Sequence, residues 1–159
     1  MRFQIRDARD DDAEGLIALI AGCYAEYPNC ILDVDGECPE LRCIATTFRR
    51  WGGHFLVAHC KGRIVGSSGC HPTGNTLIWQ FRKLYVAREA RGQGLGSTLV
   101  RLTEDYSREH GARYAEFWSD TRFVTAHRLY ERLGYVRGPG KRSLPDISRS
   151  YEYYFSKPL

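Results

Sequence analysis

Three glycines at alternate positions, Gly92, Gly94 and Gly96, stand between an apolar stretch and an amphipathic one, and they restrict the fold more than any other feature of the 159 residues. Trp79 to Val86 is mostly apolar or aromatic, as a buried strand should be. Leu95, Leu99, Leu102 and Tyr106 recur at the spacing of one helical face. The stretch therefore reads as strand, tight turn, helix. Glycine lets backbone N–H groups turn outward and lets a ligand approach without meeting a Cβ. The first turn of a helix adds unpaired N–H groups and the positive end of its dipole. Together these make an anion site, most naturally for phosphate.

Two common phosphate motifs fail here on spacing. A Walker loop needs Gly-Lys-Ser/Thr at its end, and Gly96 is followed directly by Ser97. A dinucleotide fingerprint needs its third glycine where Ser97 stands. What fits is Arg91-x-x-Gly94-x-Gly96 after Lys83-Leu84-Tyr85-Val86, with Ala126-His127-Arg128-Leu129-Tyr130-Glu131-Arg132-Leu133-Gly134-Tyr135 downstream. In these two segments the sequence resembles the GNAT superfamily of acyl-CoA-dependent N-acetyltransferases. That family carries Arg/Gln-x-x-Gly-x-Gly/Ala at its pyrophosphate loop and Ala-x-x-Leu-Tyr-Glu-x-x-Gly-Phe later in the chain. The resemblance covers most of the sequence, and these two segments are its specific part. It implies an α/β fold with a mixed, mostly antiparallel central sheet, splayed between two parallel strands and flanked by helices. Residues 1–159 would form one N-acetyltransferase domain with acetyl-CoA as cosubstrate.

Composition agrees with a soluble globular chain: 43% hydrophobic and 26% charged residues are ordinary proportions. No apolar run approaches membrane-spanning length, and Met1 to Asp7 lacks the apolar core of a signal peptide. A cytoplasmic protein without membrane contact is expected. Six cysteines (Cys23, Cys30, Cys38, Cys43, Cys60, Cys70) form no Cys-x-x-Cys pair, so reduced thiols are expected. The net charge of +4 suits a polyanionic ligand and is too weak and interspersed for nucleic acid. Asp33-Val34-Asp35-Gly36 has the look of a calcium loop, but its glycine comes too early and no glutamate completes it. It reads as a solvated loop, and no metal is expected. Homodimerisation is left open.

Along the chain, Phe3 and Ile5 alternate with polar residues as a half-buried strand. A helix follows, capped by Asp10 or Asp11 with Glu14 as the box partner and ending at Tyr27-Pro28-Asn29. Pro39 opens a second helix, and Gly52-Gly53 ends it. His54 to Cys60 and Arg63 to Cys70 form a hairpin, then comes a long strand from Thr76 to Val86. After the glycine loop and its helix, Tyr114 to Ser119 is a strand, Phe123 to Leu133 a helix, and two strands close the chain. Arg101–Asp105 and Glu104–Arg108 are expected as ion pairs on the outer face of the helix after the loop.

The resemblance assigns the chemistry. Arg91, Gly92, Gln93, Gly94, Leu95, Gly96 and Ser97 would hold the pyrophosphate. Leu84 N–H would face the thioester carbonyl, and the Tyr85 and Val86 backbone would pair with pantetheine. Tyr130 matches the family tyrosine near the CoA sulfur, a general acid. Some relatives carry a glutamate base where this chain has Gln80, and glutamine cannot take a proton. Glu26, Glu116, Asp120, His54 and His71 are the substitutes in reach of such a role. Phe123 stands where many relatives have asparagine. The acceptor site would be lined by Tyr24, Glu26 and Tyr27, by Trp79 and Gln80, and by Lys141, Arg142 and Asp146. Carboxylates there suit a cationic amine; Lys141 and Arg142 suit an amine that carries a carboxylate. No cysteine falls in either motif, so direct attack of the amine is expected. The alternative from another class is a CoA-binding sensor or interaction module with weak chemistry.

Overall fold

The computed structural model describes residues 1–159. The strands are β1 (Gln4–Asp7), β2 (His54–Cys60), β3 (Arg63–Pro72), β4 (Ile78–Val86), β5 (Tyr114–Asp120), β6 (Val136–Arg137), β7 (Arg142–Ser143) and β8 (Tyr151–Pro158). The helices are α1 (Ala13–Tyr24), α2 (Val34–Glu37), α3 (Ile44–Arg50), α4 (Leu95–Glu109) and α5 (Val124–Arg132). All eight strands join one sheet in the order β1-β2-β3-β4-β5-β8-β6, with β7 also on β8. Every pairing is antiparallel except β4 with β5. The expected mixed, splayed α/β sheet flanked by helices is therefore what forms.

Two core clusters sit on the β1–β4 side, around Leu16, Leu41, Ile44 and Phe48 and around Leu56, Leu95 and Leu99. A third, around Phe117, Tyr130 and Phe155, joins β5, α5 and β8. Phe48 and Phe155 are fully buried, each contributing roughly 1.5–3 kcal/mol by leaving water.

Several local expectations change. Asp33 to Gly36 is no open loop: the Asp33 side chain accepts from Gly36 N–H and starts α2. No side chain caps α1: Asp12, at its N-cap position, accepts from Arg9 N–H and pairs with Arg6, and Asp10 accepts from Thr46 N–H at the start of α3. On α4, Leu102 is exposed, and the buried face runs through Leu95, Leu99, Val100, Thr103, Glu104 and Ser107. Glu104 thus leaves the outer face. It accepts from Tyr135 Oη and Lys157 Nζ, both at 2.8 Å, while Arg108 pairs with Asp105. Of β4 only Trp79 and Phe81 are buried, because its second half opens onto cavities. All six cysteines are unpaired. No helix is long and apolar enough to cross a membrane.

Candidate active site

β4 and β5 pair in register only from Ile78–Tyr114 to Gln80–Glu116. Beyond Gln80 the two strands part. The cause lies in β4 itself, where Lys83 takes φ +58° and interrupts the pairing with β3 between Ser67 and Gly69. A residue forced into that region bends and twists its strand. Ser67 Oγ donates to the Lys83 carbonyl at 2.7 Å and holds the bulge. Because a trans peptide points its C=O and N–H in opposite directions, Leu84 N–H faces away from β3. Tyr85 stands opposite Ser67, and Ala87 N–H donates to Val65 O at 2.9 Å. By antiparallel alternation the Tyr85 main chain turns to β3, and that of Val86 turns to the gap. The expectation that the Tyr85 backbone serves a ligand is thereby corrected: Leu84 and Val86 face the opening, and Tyr85 offers only its side chain.

The glycine loop follows. Gly92 and Gly94 take φ +75° and +80° with open space where a Cβ would stand, while Gly96 is packed: its Cβ would meet Leu129 at 2.9 Å. The first bond inside α4 is Thr98 N–H to Gly94 O, so Leu95, Gly96 and Ser97 N–H have no partner in the helix and no side chain caps them. A cavity of about 220 Å³ lies over this end, lined by Leu84, Val86, Gly94, Leu95, Gly96 and Ser97 among others. Gln93 does not line it; its amide donates back to Glu89 O. Arg91 lines it but is committed elsewhere. Its guanidinium forks onto both Glu26 oxygens at 2.7 Å, and its Nε donates to Val86 O at 3.0 Å. Arg132 of α5 lines the same cavity with no carboxylate partner, a cation that the motifs did not single out.

A second cavity, of about 340 Å³, meets the first at Leu84, Tyr85 and Phe123. Tyr130 reaches it from α5, packed edge-on to Phe117 with ring centroids 4.5 Å apart. Burial pushes the Tyr130 phenol up to about 12, with the Ser119 hydroxyl acting the other way. Tyr24, Gln80, Arg142 and Asp146 line this space. Glu26, held by Arg91, and Tyr27, on the smaller cavity, do not; Trp79 is buried and Lys141 lies over the Tyr151 ring. Glu37, Glu40, Arg82, Lys83 and Glu152 line it without having been foreseen, since each comes from a different turn or strand face.

None of the substitute bases stands free. Glu26 is paired with Arg91, and Glu116 accepts from Tyr154 Oη at 2.6 Å. Asp120 lines the cavity but is gripped by Arg122 at 2.9 Å through both oxygens. His54 stacks on Tyr106 and meets Asp7. His71 has both ring nitrogens engaged, Nδ1 at 2.8 Å from Pro72 O and Nε2 at 2.9 Å from Arg82 Nε. No group of three His, Cys, Asp or Glu side chains is arranged to hold a metal ion.

A family model, Acetyltransferase (GNAT) domain, matches residues 51–137. The chain belongs to the GNAT acetyltransferase family. The GNAT match spans the split strand, the glycine loop and α5. Among curated relatives, an aminoalkylphosphonate N-acetyltransferase of Salmonella typhimurium is 31% identical over 52% of this chain and 56% of its own length. The chain spans about half the length of the curated relatives it matches. Solved structures agree in fold. A GNAT-family acetyltransferase from Staphylococcus aureus Mu50 superposes with a TM-score of 0.85 at 21% identity over 99% of both chains. yncA from Salmonella typhimurium, solved with its cofactor acetyl-CoA, gives 0.75 at 17% identity over 99% of this chain and 94% of its own.

Proposed function

We propose that this GNAT chain moves an acetyl group from acetyl-CoA to a primary amine by direct attack. The observation that carries the reading is the parting of β4 from β5, onto which Leu84 N–H, the open end of α4 and Tyr130 all face. The residues fit acetyl-CoA: three unpartnered helix N–H groups and two left-handed glycines with space above them form a phosphate cradle. When bound, acetyl-CoA supplies an activated thioester. Leu95, Gly96 and Ser97 N–H hold its pyrophosphate, with Arg132 at the same end. Val86 N–H pairs with the pantetheine arm. Leu84 N–H is the donor toward the carbonyl oxygen, where negative charge grows during attack. Arg91 shapes the loop through Glu26 and is a brace more than a phosphate ligand.

Tyr130, raised to about 12, is protonated at neutral pH and donates to the leaving sulfur. The thiolate of a thiol of pKa ~8.5 is a weaker base than the Tyr130 phenolate, so the hydrogen bond contributes more than a completed proton transfer. The thiols that face the cavities, Cys23 and Cys38, are both pushed up by burial and stay protonated, which supports direct attack over an acyl-cysteine route. With Gln80 in place of a carboxylate and the five substitute bases engaged, the amine arrives neutral or loses its proton to water or to Glu37 or Asp146, the cavity carboxylates that no cation holds. A small amine fits the cavity's volume, and the aminoalkylphosphonate-acetylating relative points the same way. The test is an amine panel assayed for acetyl-CoA-dependent thiol release, with acetylated product confirmed by mass. Acetyl-CoA binding without acetylation of any amine would overturn the enzyme reading in favour of a CoA-binding module.

A further inference from the structure

Three basic side chains line the larger cavity. Lys83 is neutralised by Glu40 at 3.0 Å and Arg142 by Glu152 at 2.7 Å. Arg82 alone has no carboxylate partner. It is nevertheless held in place, and by neutral groups only. His71 Nδ1 lies 2.8 Å from the Pro72 carbonyl and can only donate there, which leaves Nε2 as an acceptor for Arg82 Nε at 2.9 Å. The guanidinium lies over the Trp51 ring, 5.6 Å from its centroid, and one terminal nitrogen donates to Gln80 Oε1 at 3.4 Å. His71 is itself held edge-on by Trp51, and burial keeps it below the ordinary histidine range, hence neutral. A cation is thus oriented by three uncharged contacts while part of its fork stays open to the cavity. The exposed guanidinium is free to meet a ligand, and an oxyanion with two acceptor oxygens is the partner its geometry matches.

Taking the N-acetyl-transfer reading as its basis, the structure assigns Arg82 as the anchor for an acid group on the acceptor, so that the substrate class is an amine bearing a carboxylate or phosphonate. Position supports this. Arg82 lies two residues before Leu84, at most about 7 Å along the strand and closer across the Lys83 bulge, a separation that an arginine side chain and a short amino acid together span. Asp146 and Glu37 line the same cavity and favour the ammonium end of such a zwitterion on entry. His71 is then a positioning residue for Arg82 and not a base. His71 does not line the cavity itself and acts on it only through Arg82.

The experiment compares β-alanine and 2-aminoethylphosphonate with β-alaninamide as acceptors, using the full chain and saturating acetyl-CoA. In the wild type, kcat/KM for the two acid-bearing amines, corrected for the neutral fraction of each, should exceed that for the amide at least tenfold. In Arg82→Gln the acid-to-amide ratio should fall at least tenfold, mainly through KM, and Arg82→Lys should recover part of it. The amines' own pKa values cancel when the variant's ratio is divided by the wild type's. Turnover of the amide with an acid-to-amide ratio that stays within twofold in Arg82→Gln would overturn this inference and leave N-acetyl transfer standing. Acetyl-CoA binding with no turnover of any amine would overturn both.

Discussion

Gly94 and Gly96 belong to one motif, yet each is glycine for a different reason. Gly94 has φ +80° in open space, so Gly94→Ala costs about 1–2 kcal/mol of backbone strain unless the loop relaxes. We expect acetyl-CoA affinity to fall about tenfold by calorimetric titration, with relaxation of the open loop keeping the loss of melting temperature below that of Gly96→Val. Gly96→Val pushes a branched side chain into Leu129, 2.9 Å from where the Cβ must go. Overpacking of that kind costs typically 1–3 kcal/mol, so melting should drop by several degrees, at roughly 2–4 °C per kcal/mol. Equal effects of the two changes on affinity and melting would show that both glycines serve one purpose. Tyr130→Phe keeps the ring among Phe117, Tyr135 and Phe155 and removes the hydroxyl. kcat should fall roughly a hundredfold with KM for acetyl-CoA little changed. A variant within twofold of wild type would remove Tyr130 from the chemistry.

Among the elements, the brace from the turn after α1 to the glycine loop carries a prediction of its own. Glu26 holds Arg91 by two bonds of 2.7 Å, and Arg91 in turn holds the Val86 carbonyl. Glu26→Ala should raise KM for acetyl-CoA by about tenfold, about 1.4 kcal/mol, while the rate at saturation changes little. A lowered KM would mean that Arg91, once released, binds phosphate better than it braces. How much of this could be read in advance follows from range. The glycine loop and the helix α5 that carries Tyr130 were legible because turn chemistry and motif spacing are local. The burial of Glu104 was not, since its partners Tyr135 and Lys157 lie 31 and 53 residues away. For the same reason Leu102 fits a helical period yet faces solvent: Thr103 and Glu104 fill the inner face through polar bonds that periodicity does not count. Arg82 with His71 is a cross-strand pair 11 residues apart, set by the β3–β4 register and invisible to any pattern along the chain. Glu26 is absent from the acceptor cavity: its side chain turns to the loop, because Arg91 offers a charged fork there.

The molecule as a whole should respond to pH in two ways. Burial holds His71 and His127 below the usual histidine range, so both are neutral in the fold while an unfolded chain protonates them near ~6.5. Their contribution is therefore fully present above that value and is lost as pH falls toward the lower folded values. Urea unfolding should give a smaller free energy at pH 5.5 than at 7.5, and His127→Gln should flatten the difference. Catalysis should move in the same sense by another route: with glutamine at position 80, kcat/KM for the amine should climb past neutrality toward the amine's own pKa. A plateau near pH 7 would reveal a base. The three-residue contact between β4 and β5 has a mechanical consequence as well. It is the only strand pairing between β1–β4 and β5–β8, so the sheet is two plates joined along a short seam at one end. In the free protein the Leu84 and Val86 amides, though central in the sheet order, should exchange their hydrogens with solvent quickly, as an edge strand's would. Occupation of the opening by an extended ligand should slow them and raise the force needed to pull the plates apart, so that a cosubstrate also acts as a seam along the middle of the sheet.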